Sequence, residues 1–503
     1  MLDSLYSQYA SQPAILDRLR HGMERVLPAS LENAAAALAA NSARRQELAE
    51  GSEEFRVSFL ERNKYFYLAY PEVFISYDGE HFRACSQDDI HHQILSEITE
   101  GGALRPWKHK VTRALIKEIR SHSPLDRIPE SATIQSVLGA LAPRFFKTRD
   151  EAKYFLTVVG DGVRSAHHDQ PLVYLTPPAL RDLVRSLSIE IFTHTGSGSA
   201  LHGLKFKHHD HAYALCRLLP SPDPLAAASW DLAAVPRMSL DILCVACHYS
   251  KRFVCADDYL REHCHDTSLN GHALQLANTT PEGLVSSFID DCIETCAQRK
   301  IYSKNMIFVW KQYLARRGLP SVVFQGALKE MLRAKLTYSE PIDAFLGVTS
   351  PYVPIVAAFL RFWSDTVVED AQAQDEDLEV DEMRTLFRHW AREEGVPLGA
   401  GDPCLVELIR HFYSEIDIAE DRVIINVRCR IWDKQGTVRD AVNLYLARCG
   451  KKDSRTLSEA YTSYVGMSSN LRARVSKRFF EKQAREVLGG SVDDDGVITD
   501  VCA

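Results

Sequence analysis

Apolar residues recur along the chain at two spacings, and the changes of spacing divide it into segments. Through about the first 50 residues the spacing is helical, with an Ala-rich run from Asn33 to Asn41 and a polar stretch ending at Gly51-Ser52. This predicts a helical N-terminal arm over 1–55. From Tyr65 aromatic and β-branched residues take over, and Val73-Phe74-Ile75-Ser76-Tyr77 meets Glu80-His81-Phe82 across Asp78-Gly79. Asp-Gly suits a type I′ turn, whose two central residues have positive φ, so a β-hairpin is expected near 73–82. Leu104, Trp107, Val111, Leu115 and Ile119 then recur every three to four residues, as on one face of a helix. A second helix is expected from about Thr133. A third is started by Thr148-Arg149-Asp150-Glu151 and should stop near Gly160-Asp161-Gly162.

In the C-terminal third one pattern occurs three times. A helix with an aromatic pair three residues apart (Trp310 and Tyr313, Phe387 and Trp390, Tyr461 and Tyr464) is followed by a turn and a second amphipathic helix. The second helices carry Phe324, Leu328 and Leu332, then Leu405, Ile409 and Phe412, then Val475, Phe479 and Val487. The turns are Gly318 to Ser321, Gly395 to Pro403 and Met467 to Asn470; a strand is expected at Val423 to Trp432, and Val497-Ile498 closes the last copy. Two helices with a trailing strand or hairpin is the layout of a winged helix, whose second helix commonly enters the major groove. Amphipathic helix pairs are also a common way to bury two apolar stripes. The fold class expected is therefore α+β, predominantly α-helical and multi-domain, with tandem winged-helix-like modules in the C-terminal third. Its divisions are the arm 1–55, an α+β domain 56–220, a helical domain 221–300, a helix-pair module 301–368, an acidic linker 369–382, a winged-helix-like module 383–450 and a basic one 451–503. The linker assignment rests on EDAQAQDEDLEVDE, eight acids without a base, where like charges repel.

Composition narrows the class. At 503 residues, with 46% hydrophobic and 25% charged residues, the chain has the usage of soluble globular proteins and the length of several domains. No run of about 18 apolar residues occurs, and the first residues lack the basic flank and apolar core of a signal peptide. A soluble, intracellular protein that is not secreted and has no membrane partner is expected. Twelve cysteines over this length do not read as a disulfide framework.

Charge locates candidate binding surfaces. The net charge of −8 disfavours general coating of nucleic acid, so local basic patches must carry any such binding. One is Lys108, Lys110, Arg113 and Lys117, flanked by Arg105 and Arg120 and opposed only by Glu118. Another is Arg472, Arg474, Lys477, Arg478 and Lys482, with Arg485, opposed by Glu481 and Glu486. Lys311, Arg316, Arg317, Lys329, Arg333 and Lys335 form a third local excess. Such runs also occur as plain solvated helix faces.

Catalytic signatures are missing. Gly196-Ser197-Gly198-Ser199-Ala200-Leu201 lacks the last glycine of a dinucleotide loop, and there is no GxxxxGK[ST], HExxH, GxSxG or kinase set. Cys244, Cys247, Cys255 and His263 are the best metal candidates, yet Cys244 and Cys247 share a helical stripe with Leu240 and Leu243, where cysteine acts as a small hydrophobe. Lys205 to His211 could hold a metal or contact phosphate, and reads more simply as a basic surface segment. Asp161 and Arg217 stand alone. No cofactor is expected.

The stretches FYLAYPEVFISYDGEHFRACSQDDI, IPESATIQSVLGAL, EAKYFLTVVGDGV, RHFYSEIDI with RIWDK, and RVSKRFFEK resemble a conserved, poorly characterised protein family of nucleocytoplasmic large DNA viruses, from about Phe59 to Leu488. YDGEHF and the last helix pair also look like parts flanking the ATPase of poxvirus-type primase-helicases. The chain departs from those enzymes in lacking the Walker motif and a primase-like set of acids. The resemblance implies an accessory in viral DNA replication or transcription, in host cytoplasm or viral factory, binding DNA or RNA and other viral proteins. A virion or scaffold protein and a metal-dependent enzyme are the alternatives.

Overall fold

The computed structural model describes residues 1–164, 171–220, 234–369, 378–396, 405–449, 455–467, 473–493 and 495–498. The chain is predominantly α-helical with small sheets, an α+β fold, and divides into two compact units, Met1–Thr279 and Thr280–Ala503. Among the described residues no helix is long and apolar enough to cross a membrane.

In the first unit a short helix α1 (Leu2–Gln8) precedes α2 (Pro13–His21) and α3 (Leu27–Arg62), which a single π turn, Gly22–Val26, joins into one continuous helix. Pro28 gives a reason for that turn. It has no N–H to donate, and its ring crowds the carbonyl four residues back, at Glu24, so the widened turn relieves both conflicts. The far end of α3 is anchored by Phe59, fully buried, with Phe55 and Leu48 packed against the same core.

β1 (Lys64–Leu68), β2 (Val73–Tyr77) and β3 (Phe82–Cys85) form an antiparallel sheet. The hairpin expected around Asp78-Gly79 is present with a four-residue loop, not a two-residue turn. The Asp78 carboxylate accepts from the amides of Glu80 (2.9 Å) and His81 (2.7 Å), closing the wider loop, and Gly79 supplies φ +105°. Helices α4 (Gln87–Gly101) and α5 (Lys108–Ile119) cover this sheet, with Val111, Leu115 and Ile119 buried as their spacing predicts.

The second core of this unit gathers α6 (Ser131–Leu141), α7 (Arg149–Val163), α8 (Arg181–Thr195), α9 (Ala234–Arg237), α10 (Ser239–Phe253), α11 (Ala256–Asp258) and α12 (Thr267–Ala273). Within it β4 (Val173–Leu175) lies between β5 (Leu204–Lys205) and β6 (Cys216–Leu218), parallel to both. Thr148 and Glu151 form the capping box that starts α7, as expected. The helix ends at Val163, at the expected Gly160-Asp161-Gly162 stop, with both glycines in its last turn. A Cβ on Gly160 would stand 2.1 Å from the Ala246 carbonyl oxygen, and one on Gly162 1.9 Å from that of Ala200. These glycines also let neighbouring backbone approach the last turn of α7.

In the second unit one order of elements, helix–strand–helix–helix–strand–strand, occurs three times. The first copy is α13 (Pro281–Cys292), β7 (Glu294–Tyr302), α14 (Ser303–Arg316), α15 (Gln325–Lys335), β8 (Tyr338–Ser339) and β9 (Ala344–Thr349). In the second, α16 (Val353–Thr366) and β10 (Val367–Glu369) lead to β11 (Leu378–Glu379), α17 (Val380–Glu393), α18 (Leu405–Phe412), β12 (Ile418–Ala419) and β13 (Val423–Ile424). β14 (Val427–Cys429) returns to pair with β10. The third has α19 (Lys434–Cys449), α20 (Leu457–Met467) and α21 (Lys477–Leu488), with bridges at Thr456, Val492 and Val497-Ile498 in place of strands. In every copy the last strand is central and antiparallel to both others: β7-β9-β8, β11-β13-β12, and Thr456 with Val497 beside Val492 with Ile498. Much of the acidic run and the turns at 397–403 and 468–470 lie outside the described residues.

The aromatic pairs are core. Trp310 and Tyr313 pack edge-on against Phe288 of α13, Phe387 and Trp390 lie tilted against Phe362 of α16, and Phe480 of α21 meets Tyr461 edge-on and stacks on Tyr464. The second and third copies share one continuous core, which Phe308 of α14 joins.

Candidate nucleic-acid interface

α21 is a basic helix with an exposed face. Ser476 caps it, its hydroxyl accepting from the Phe479 amide at 3.4 Å, and Phe480 and Ala484 turn inward. That orientation leaves Arg474, Lys477, Arg478, Lys482 and Arg485 exposed. The Val475 amide donates to the buried Tyr464 hydroxyl at 3.0 Å, which sets Arg474 at the head of the stripe. Lys477 reaches Ser458 (3.4 Å) and Glu481 (3.6 Å), exposed contacts of little strength. Arg485 donates to the Asp493 carbonyl at 2.8 Å. Arg472 lies outside the described residues.

The corresponding helices of the other copies are committed elsewhere. On α15, Lys329 pairs with Asp343 at 2.9 Å, and Arg333 pairs with Glu330 (3.2 Å) and Glu340 (3.6 Å) while lying over the Tyr338 ring. Hydrogen bonds from Lys329, Ser303 and Tyr338 hold the Asp343 carboxyl well below the usual carboxylate range. At the end of α14, Arg317 pairs with Asp291 at 2.7 Å and Arg316 donates to the Cys292 thiol. α18 packs toward α14: Gln312 bonds Glu407, Lys311 meets His411 at 3.1 Å, and Lys304 donates to the Phe412 carbonyl at 3.1 Å. The loops between the last two strands are acidic in all three copies, with Glu340 and Asp343, Glu420 and Asp421, and Asp493 and Asp495.

In the first unit Lys108, Lys110, Arg113 and Lys117 are exposed along α5. Lys110 lies 3.6 Å from the centre of the Trp107 ring, and Glu118 is tied to Arg56 at 2.6 Å. Among the described residues Lys108 and Lys117 make no ion pair. The first turns of α5 and α21 carry bases and no acid. That order opposes the helix dipole and leaves both N-termini favourable to an external anion.

The metal candidates separate in space. Cys244, Cys247 and Cys255 are buried, whereas His263 is exposed. Burial pushes the Cys247 and Cys255 thiols up to about 11 and the Cys244 thiol well above its usual value, the opposite of what thiolate ligation needs. Among the described residues no three His, Cys, Asp or Glu side chains converge as a metal site. His208 is buried and hydrogen-bonds the His211 carbonyl at 2.9 Å, while His211 accepts from the His209 amide, so the cluster closes on itself. Asp161 and Arg217, isolated in sequence, prove structural. Asp161 accepts from Ser250 (2.5 Å) and the Ala256 amide (2.8 Å), and Arg217 makes a buried two-point pair with Asp257.

Sequence reasoning missed Glu382, on α17, and Lys434, at the start of α19. They form an ion pair of 2.8 Å with side chains 2% and 5% exposed, Lys434 lying 4.0 Å from the Phe479 ring centre. The acidic run around Glu382 gave no hint that one of its members is buried. Comparison with protein-family models, curated proteins and solved structures found no match.

Proposed function

We propose that this chain is a non-enzymatic nucleic-acid-binding factor whose second unit consists of three tandem winged-helix-like modules, the last of which offers α21 to phosphate. The observation that carries the reading is the repeated order of helix, strand, two helices and two strands with the last strand central, combined with the exposed bases of α21. Arg474, Lys477, Arg478 and Lys482, with Arg472, would contact phosphate and position the ligand without reading bases. Lys108, Lys110, Arg113 and Lys117 form a second phosphate-binding patch in the first unit. The acidic strand loops limit phosphate contact to the helices, because carboxylates repel a polyanion. An accessory role in viral DNA replication or transcription, in host cytoplasm or viral factory, rests on the sequence resemblance.

The test is binding of the whole chain to duplex DNA, single-stranded DNA and RNA over a salt series. Replacing the five C-terminal bases by Ala should weaken binding across sequences and, on duplex DNA, reduce the log–log salt slope by about 0.9 for each phosphate the helix no longer neutralises. Undiminished binding would remove α21 from the interface, and absence of salt-sensitive binding to any of the three would reject the reading.

A further inference from the structure

We propose that a cleft between the end of α3 and the end of α4 is a docking site for a basic amphipathic helix of another protein. Leu48 and Phe55, two turns apart on α3, are half-buried against the core of the first unit, with Gly51 between them on the cleft side. Opposite, α4 stops at Gly102, whose φ is +69°, and the turn that follows brings Ala103, Leu104 and Pro106 alongside. Small residues at Gly51 and Ala103 leave a cleft of about 550 Å³ with Leu48, Phe55, Ile98 and Leu104 as its apolar walls. That volume lies within the range of ligand sites, about 300–1,000 Å³, and admits several apolar side chains.

The occupant is read from the charges that line the cleft. Glu47, Glu54 and Glu97 stand there against one base, Arg44. Glu97 is tied to Arg62 (2.8 Å) and Asn63 (3.3 Å). Glu47 and Glu54 are exposed and make no ion pair among the described residues. Carboxylates so placed repel a polyanion and favour a partner that carries bases. Glu47 and Glu54 are seven residues apart on α3, two turns or about 10.5 Å along the axis, so they lie on one edge of the helix. A second helix laid along α3, with Lys or Arg at the same interval, meets both while the apolar residues beside those bases enter the cleft. An acidic or uncharged helix would bury the same apolar surface but leave the two carboxylates unanswered.

Selection of a display library of short helical peptides on the whole chain tests this. Enrichment of Leu, Phe or Met flanked by Lys and Arg is expected, and a synthetic peptide of the selected sequence should bind saturably by fluorescence anisotropy. A Cβ on Gly51 meets nothing nearer than Leu104 at 3.8 Å, so Gly51→Leu should leave thermal unfolding intact while its longer side chain enters the cleft. It should weaken the peptide at least about tenfold. Glu47→Lys with Glu54→Lys should weaken the basic peptide as much, and should let the analogue with its bases changed to Glu bind in its place. No enrichment, enrichment of acidic or uncharged sequences, or binding indifferent to Gly51→Leu overturns the proposal. Binding lost with Gly51→Leu but indifferent to the charge reversal overturns the basic occupant. Neither variant alters α5 or α21, so the outcome is independent of nucleic-acid binding.

Discussion

Single residues carry two consequences that can be measured directly. Burial lifts the Glu382 carboxyl from 4.5 to about 7, although Lys434 and the Glu379 amide pull it down. The folded protein therefore holds a proton that the unfolded chain releases between those values. The stability this contributes is complete below pH 4.5 and is lost as pH rises through about 7, on the order of 1–3 kcal/mol. Thermal unfolding of residues 280–503 should fall over that window, and Glu382→Gln, which cannot ionise, should flatten the dependence; a profile unchanged by the substitution would refute the assignment. In α7, Gly160→Ala forces a methyl to within 2.1 Å of the Ala246 carbonyl. Denaturant unfolding should show a loss of at least about 1–3 kcal/mol, the cost of overpacking, despite alanine's better helix propensity.

Among the elements, the helices that carry exposed charge and those that carry buried rings should respond differently to substitution. Trp390→Ala on α17 empties a core position 6% exposed, so melting should reveal about 3–5 kcal/mol of destabilisation. Lys477→Ala and Arg478→Ala on α21 should leave the melting temperature nearly unchanged while flattening the salt dependence of nucleic-acid binding. The helices themselves were legible because Val111, Leu115 and Ile119, or Leu328 and Leu332, recur at helical spacing and are buried. The strand expected at Val423 to Trp432 resolves into β13 and β14, whereas β11 and β12 are two residues each and the third copy has single bridges, too short for alternation to register. The π turn escaped notice because its cause, Pro28, sits in an otherwise regular helical pattern. The glycines of α7 marked where it ends, but sequence does not show which backbone lies against them. On α15 the basic excess was visible, but its neutralisation by Asp343 and Glu340 depends on how the chain folds back through β8 and β9.

The whole molecule adds a constraint that neither residues nor helices impose alone. Because the second and third copies share one core and the Glu382–Lys434 pair, residues 280–503 should unfold in one cooperative transition by calorimetry. Residues 434–503 expressed alone should melt broadly or aggregate, because the core shared with the second copy is opened and Lys434 is parted from Glu382; a sharp transition for that fragment would contradict the shared core. Assignment of the repeats to DNA, RNA or protein depends on the surface charge of α21 and α5 and not on the fold.

The close approach of Ala246 and Ala200 to α7 also bears on ancestry. Surface helices and acidic loops can diverge until overall similarity is lost, but a backbone approach that excludes even one carbon tolerates only glycine unless both chains move apart. A distant cousin of this protein should therefore be traceable by two glycines separated by one acid, on a helix opened by a Thr and Glu cap, with a Ser on the crossing helix to meet that acid. That short signature offers genealogy a handle where whole-chain resemblance has faded.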